Sequence, residues 1–299
     1  MKRDIAPFAA PSCLGLGETG VENLPEALED AGLLDCLGAS WHGWMPSMGG
    51  TDEIDPDTGL RNATLARDYS LALADKIGKF LDEGKFPLIV GGDCSILIGI
   101  ALGLSGLGEY GLLFLDGHSD FYQGDTVPDG ELSAAELAII TGRGPEVLCA
   151  IDGKRSYIAD ENVVVLGYRD EDESAAEGAV SVKSSGMKVY DLETVRKLTA
   201  PEAARQSAKY LDELPTEGTW IHLDVDVLDF SEMPAVDFPL AGGLTYHELK
   251  QVLHEHLKSG KVVGMDVAIL NPDLAPSPRV VEDFSVFLCS LFVGAAVDA

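Results

Sequence analysis

The sequence predicts an α/β protein, a mostly parallel sheet covered by helices on both faces. Three observations carry that prediction. Short apolar runs alternate with amphipathic runs along the whole chain, the pattern of β–α units. The apolar runs are near-continuous, as strands buried on both faces must be. Glycine-rich and acidic residues follow several of these runs directly, at the carboxyl ends where open sheets gather their ligands.

Taken in order, residues 5–10 form an apolar opening strand, and 21–34 have helical spacing with Pro25 early and Gly32 inside. Residues 64–83 make a strongly amphipathic helix, capped by Asn62 or Thr64 and closed by Gly84. A buried strand at 86–90 ends in Gly91-Gly92-Asp93-Cys94-Ser95 and leads into a helix over 95–104. A strand at 111–115 follows, then a helix at 131–141, a strand at 163–167 and a short strand at 189–190. The rest reads as helix 201–214, strand 220–223, helix 245–258, strand 262–267 and a final helix 281–296. Segments 40–60 and 121–130 are rich in Gly, Asp and Pro and long enough to frame a site. No repeat, low-complexity linker or composition break marks a domain boundary.

The chain has 299 residues, enough for a full core, with 21 basic against 50 acidic residues and a formal charge of −29. That balance argues against nucleic acid and anionic membrane as partners, since both need positive charge. It favours solubility and suits a salty environment without identifying one. The wholly apolar stretches are of strand length, and prolines 7 and 11 interrupt the amino-terminal run, which makes a poor signal peptide. Five scattered cysteines (13, 36, 94, 149, 289) suit reduced thiols in a cytoplasm better than a disulfide framework.

The chemistry lies after two strands. Asp116-Gly117-His118-Ser119-Asp120 follows the run at 111–115, and Asp224-Val225-Asp226 with Asp229 follows the run at 221–223. Bare carboxylates crowded into a sheet crevice repel one another unless cations neutralise them. Oxygen-rich donors with one imidazole suit Mn²⁺ or Mg²⁺, and in a minority pattern Zn²⁺. Two such ions about 3.5–4 Å apart would generate a hydroxide at neutral pH and polarise a substrate. The plainer alternative makes each Asp a turn residue or helix cap; it explains either cluster alone far better than both together.

With Leu14-Gly15-Leu16, Gly20-Val21-Glu22, Gly91-Gly92-Asp93, Gly167-Tyr168-Arg169-Asp170, Gly242-Gly243-Leu244-Thr245 and Asn271-Pro272, these motifs run nearly end to end. In that order they resemble the arginase–agmatinase (ureohydrolase) family. The resemblance implies a single domain over 1–299, a three-layer α/β/α sandwich and a binuclear manganese site. It also implies hydrolysis of a guanidino or related C–N bond by a metal-bridging hydroxide, and assembly into trimers or hexamers. By the same resemblance Asp116 and Asp224 bridge the metals. Asp120 completes one shell with position 94, and His118 and Asp226 complete the other. Asp172 falls where arginases place a carboxylate that contacts the substrate amine.

Three positions depart from the family pattern. Cys94 replaces a histidine ligand. Its thiolate could ligate a softer ion such as Zn²⁺ or Fe²⁺, stand beside a weakened site, or fill space. Ile269 stands where a glutamate pairs with the guanidinium, and Ser133 roughly where a proton-shuttling histidine belongs. Glu131 is the candidate to take over substrate or acid–base work, beside Asp120, although a first-turn helix residue is as good a reading.

The remaining residues say less. His42, in Trp41-His42-Gly43-Trp44, either roofs the site or belongs to a packing loop; His222 shares a strand face with Asp224 and suits an outer-shell or a core role equally. His254 and His256 read as solvated, His247 has no role, and Arg169-Asp170 reads as an ion pair behind the site. Ser95 is explained by a helix N-cap, and no phosphate loop appears. The expectation is a metal-dependent hydrolase of the ureohydrolase superfamily acting on a small, amine-bearing substrate. A single-metal zinc deacylase on the same fold, using Asp116, His118 and Asp226, is one alternative, and a catalytically impaired binding protein is another.

Overall fold

A computed structural model describes residues 4–293. Seven strands, β1 (Ile5–Ala10), β2 (Phe86–Gly91), β3 (Tyr110–Leu115), β4 (Val163–Leu166), β5 (Lys188–Tyr190), β6 (Gly218–Asp224) and β7 (Val262–Ala268), form one sheet. Its order is β1-β2-β7-β6-β3-β4-β5, and every pairing is parallel. The carboxyl ends of β2, β7, β6 and β3 therefore lie side by side, and the loops that follow them share one crevice.

Helices cover both faces. On one side α1 (Leu24–Asp30), α2 (Leu33–Leu37), α8 (Leu192–Leu198), α9 (Ala200–Glu213), α10 (Tyr246–Lys258) and α11 (Pro278–Val293) pack on Leu113, Leu115, Ile221 and Leu223. On the other, α3 (Ala63–Asp82), α4 (Ile96–Ser105), α5 (Glu136–Ile140) and α6 (Glu146–Cys149) pack on Leu112, Phe114 and Trp220. A short α7 (Glu171–Ala176) follows β4. Alternation along buried strands produces the two cores, and it points Phe114 and Asp116, or Trp220 and Asp224, the same way. Among the described residues no helix is long and apolar enough to cross a membrane.

Several expectations change. The helical run at 21–34 breaks at Gly32, which takes a left-handed conformation (φ 81°) between α1 and α2. Asn62 stands before α3 but caps nothing: its side chain bonds the Leu14 carbonyl and the Thr51 N–H, tying two loops together. The helix expected over 131–141 shortens to a single 3₁₀ turn and α5. Residues 294–296 of the expected final helix lie outside the described residues. The expectation of reduced cysteines fails for two of five: Cys36 on α2 and Cys289 on α11 form a disulfide, while Cys13, Cys94 and Cys149 are free and buried. Pairing residues 253 apart in sequence is invisible to spacing rules. His256 is not solvated either; it is buried on α10 with Nε2 2.9 Å from Ser207 Oγ on α9. The Trp41–Trp44 loop runs beside β1, with the His42 N–H donating to the Pro7 carbonyl. It covers the sheet edge, which settles His42 as a packing-loop residue.

Candidate metal centre

Three strand ends and one helix build the centre. After β2 the chain turns so tightly that a Cβ on Gly92 would stand 1.9 Å from the Ser12 carbonyl oxygen; only glycine fits that approach. Asp93, wholly buried, then accepts the Gly15 N–H at 2.7 Å and the Ser95 N–H at 2.9 Å, and also bonds the Ser95 hydroxyl. This clamp places Cys94 at the start of α4, where its thiol donates to Asp224 Oδ2 at 2.9 Å.

After β3, Asp116 Oδ1 accepts the His118 N–H at 2.6 Å, and after β6 Asp224 Oδ1 accepts the Asp226 N–H at 2.7 Å. The two loops interlock through Gly117, whose N–H reaches Asp226 Oδ1 at 2.9 Å. Its missing Cβ makes room for Arg169 and the Asp226 carbonyl, which would stand 2.6 and 2.7 Å away. His118 Nδ1 lies 2.9 Å from Asp226 Oδ2. Asp116, His118 and Asp226 each bring one donor atom within 4.8 Å of the others.

A second group of four, confined to the same 4.8 Å, holds Cys94, Asp116, Glu136 and His222. Glu136 on α5 is fully buried beside the Asp120 carboxyl, close enough to share a proton with it; among the described residues neither of its oxygens meets an N–H or hydroxyl donor, and Asp116 Oδ2 and His222 Nε2 lack a partner too. Sequence reading missed Glu136. Its signal was a single acid inside the apolar run Ala134-Ala135-Glu136-Leu137-Ala138.

Charge in the centre is unbalanced. Burial first, then neighbouring carboxylates, push Asp116, Asp120, Asp224 and Glu136 well above the usual carboxylate range. Burial, with Asp224 next, likewise holds the Cys94 thiol protonated. Burial acts upward on Asp226 as well, but the His118 imidazole beside it holds it below the usual value. His118 is raised in return, against the effect of its own burial. A crevice with this many acids and one matching imidazole suits cations.

Other expected residues fall elsewhere. Asp120 is buried beside Glu136, in a left-handed backbone (φ 42°). Glu131 is part-buried before the 3₁₀ turn, 3.9 Å from Arg61 and outside both donor groups, and Asp172 is exposed in the first turn of α7. Asp229 binds the N–H groups of Ser231 and Gly242, a turn device away from the cluster. The expected Arg169–Asp170 ion pair does not form. Arg169 donates to the carbonyls of Asp226, Leu228, Leu240 and Ala241, and Asp170 accepts the Ser119 hydroxyl. Carbonyls of the loops beyond β6 outnumber one carboxylate and hold the guanidinium on them. Ile269 is buried with φ 74°, its N–H on the Gly92 carbonyl. That conformation is strained for a β-branched residue.

The profile of the Arginase family matches residues 3–290. The arginase of Bacillus subtilis (strain 168) is 30% identical over 280 residues, covering 92% of each chain. The arginase of Bacillus caldovelox is 29% identical over 298 residues, 97% of this chain and 98% of that one; its crystal structure superposes with a TM-score of 0.87 over 98% and 99% of the two chains. Proclavaminate amidino hydrolase from Streptomyces clavuligerus shares the fold at 17% identity, with a TM-score of 0.68 over 97% of this chain and 92% of that one. With the match spanning nearly the whole chain, and the strand-end carboxylates brought into one crevice, this protein belongs to the arginase family and is a metal-dependent hydrolase of carbon–nitrogen bonds.

Proposed function

We propose that the chain hydrolyses a guanidino, hydroxyguanidino or amidine carbon–nitrogen bond in a small, amine-bearing substrate, using two divalent ions held by the strand-end cluster. The observation that carries this reading is the buried, uncompensated carboxylate set, above all Asp116 with an unpartnered oxygen at the junction of both donor groups. Such a set is costly as a structural device and favourable as a ligand shell.

Asp116, His118 and Asp226 would hold one ion, with Asp224 shared; Cys94 and Asp120 would complete the other. Mn²⁺ suits the oxygen-rich half, and Cys94 draws in Zn²⁺ or Fe²⁺. Bound divalent ions supply an acidified water and polarise the group under attack. The chain's residues do the remaining work. Backbone N–H groups of Gly117, His118 and Asp226 each fix one carboxylate oxygen, so the donors are oriented before substrate arrives. Asp120, buried beside Glu136, is the proposed proton carrier. Glu131 and Asp172 on α7 are the proposed contacts for substrate and its amine. Ile269 offers a guanidinium no charge, which tilts selection toward amidines and hydroxyguanidines, whose positive charge is more easily lost.

The test is to strip the protein, reload it separately with Mn²⁺, Zn²⁺, Fe²⁺ and Co²⁺, and screen for urea or ammonia release from guanidino, hydroxyguanidino, amidine and amide compounds. Release with at least one ion, lost in Asp224→Asn, is expected; no release with any ion sinks the reading. Two ions per chain by elemental analysis separate it from a single-metal deacylase. Trimers or hexamers belong to the same reading, and the light-scattering mass measures them.

A further inference from the structure

We propose that Cys94, Asp116, Glu136 and His222 form a metal site of this chain's own, a thiolate–imidazole–dicarboxylate set that takes a borderline ion such as Zn²⁺ in preference to Mn²⁺. The proposal deepens the two-metal reading, placing Glu136 and His222 with Cys94 where that reading has Asp120 and Asp224, and it rests on that reading for Asp116, which both donor groups share.

His222 is the first argument. It is wholly buried on β6, stacked on Phe114 with ring centroids 4.9 Å apart. Its Nδ1 lies 2.6 Å from Asp266 Oδ2, and Asp266 Oδ1 is bonded by Trp220 Nε1, also at 2.6 Å. The register places Asp266 directly beside His222 across the β6–β7 pair. With Nδ1–H donated to a carboxylate, the ring is fixed in the tautomer that leaves a lone pair on Nε2, and Nε2 is buried without a partner. A histidine that only packs would have a donor opposite that nitrogen. Metal-ligating histidines have this construction: one nitrogen on a carboxylate, the other on the ion. Trp220 in turn lies over Gly264, where a Cβ would meet the indole at 2.2 Å. A bare glycine therefore seats the tryptophan that holds the aspartate that orients the imidazole.

Glu136 is the second argument, independent of the first. Two buried carboxylate oxygens that meet no N–H or hydroxyl donor among the described residues are expensive unless something positive faces them. Its neighbours are the acids Asp116 and Asp120, the Cys94 thiol and the unpartnered Nε2 of His222, a set that a single cation would serve together. Bonds of about 2.0–2.3 Å put the donors of a four-coordinate zinc about 3.3–3.8 Å apart. A set confined to 4.8 Å reaches that by small side-chain rotations. Sulfur and nitrogen among the donors favour zinc over manganese. An ion bound there would take Cys94 as thiolate, and the thiol proton now donated to Asp224 Oδ2 would leave to solvent water.

The experiment uses the full chain, stripped with a chelator and titrated with Co²⁺ alone. A thiolate-to-cobalt charge-transfer band in the near ultraviolet is expected, with the intense visible bands of a four-coordinate ion. His222→Gln and Glu136→Gln should each weaken that site by more than about 100-fold, and Asp266→Asn by the 10–100-fold typical of losing an outer partner. Asp226→Asn, at the other position, should keep the band. Circular dichroism checks that each metal-free variant is folded. Should one not fold, Cys94→Asp replaces it, expected to bind cobalt without the thiolate band. Parent-like affinity in both His222→Gln and Glu136→Gln, or cobalt entering the parent with no thiolate band, overturns the proposal and leaves the two-metal hydrolase standing. No cobalt bound at all overturns both.

Discussion

Replacing Asp116 by asparagine should make the metal-free protein more stable while destroying its function. Asp116 is fully buried; Oδ1 accepts the His118 N–H, and Oδ2 has no partner. Asparagine keeps the first bond and turns the orphaned oxygen into an N–H₂ group facing carboxylates. Where Asp116 is ionised, leaving a buried acceptor unsatisfied costs about 1–3 kcal/mol, so the variant should gain up to about that much. For a chain of this size that is about 2–6 °C in Tm. The sign also depends on pH. The folded-state pKa of Asp116 is raised, by burial first and by Asp120 next, so the native state keeps a proton that the unfolded chain releases. The stability this provides is fully present below the unfolded pKa and is lost as pH rises through the folded one. The advantage of asparagine must therefore grow with pH. Thermal unfolding followed by circular dichroism, in chelator, across pH 5–8 measures it. Saturating metal should reverse the order, because an ion binding only the native parent adds about 2.7 kcal/mol at a hundred times its Kd. A variant less stable than the parent in chelator at every pH would show that Asp116 holds the fold and is not waiting for a cation.

Ile269→Glu should raise kcat/KM for a guanidino substrate relative to an amidine by about 10-fold or more, since a charge-assisted pair is worth about 1.5–3 kcal/mol; an unchanged ratio removes Ile269 from substrate selection. His256 is buried between α10 and α9, and burial lowers its pKa from 6.5 to about 3. The unfolded chain takes the proton first, so stability falls as pH drops through 6.5. Between pH 7 and pH 5 this one residue accounts for about 2 kcal/mol. His256→Gln should show that much less acid sensitivity in urea unfolding, and an equal slope would contradict the assignment. Reducing the Cys36–Cys289 disulfide releases a constraint between residues 253 apart, worth about 2–4 kcal/mol with a chain-entropy ceiling near 5; identical Tm values with and without reductant would mean that α2 and α11 hold together unaided.

All seven strands and the longest helices were legible because burial imposes period on them: α3 and α9 show an amphipathic face, and β2 and β3 are unbroken apolar runs. Short elements were not. Helices α6, α7 and α8 span four to seven residues, too short for a period to show. The disulfide and the His256–Ser207 contact join segments far apart in sequence, and no local pattern encodes such a pairing. Arg169 misled for a related reason: the neighbouring Asp170 offered a partner one residue away, but the guanidinium spans to carbonyls 57–72 residues on.

Within the centre, the legible part was what shares a strand end with other acids, and the illegible part was what arrives singly from elsewhere. Asp116, Asp120, Asp224 and Asp226 announced themselves as pairs. Glu136 comes from a helix and His222 from the middle of a strand, and each is one polar residue in an apolar run. A lone polar residue in such a run is costly to bury, so its presence already demands a partner somewhere in the fold. Cys94, read with its own loop after a strand and a Gly-Gly turn, favours a ligand over a spectator or a space-filler. Set within 4.8 Å of Asp116, Glu136 and His222, it becomes one of four donors, each of which reaches the cluster from a separate element of one α/β frame. The substitution at position 94 is then better understood together with Glu136 and His222 than as an isolated loss, because the three supply between them the sulfur, oxygen and nitrogen of a different ion's shell.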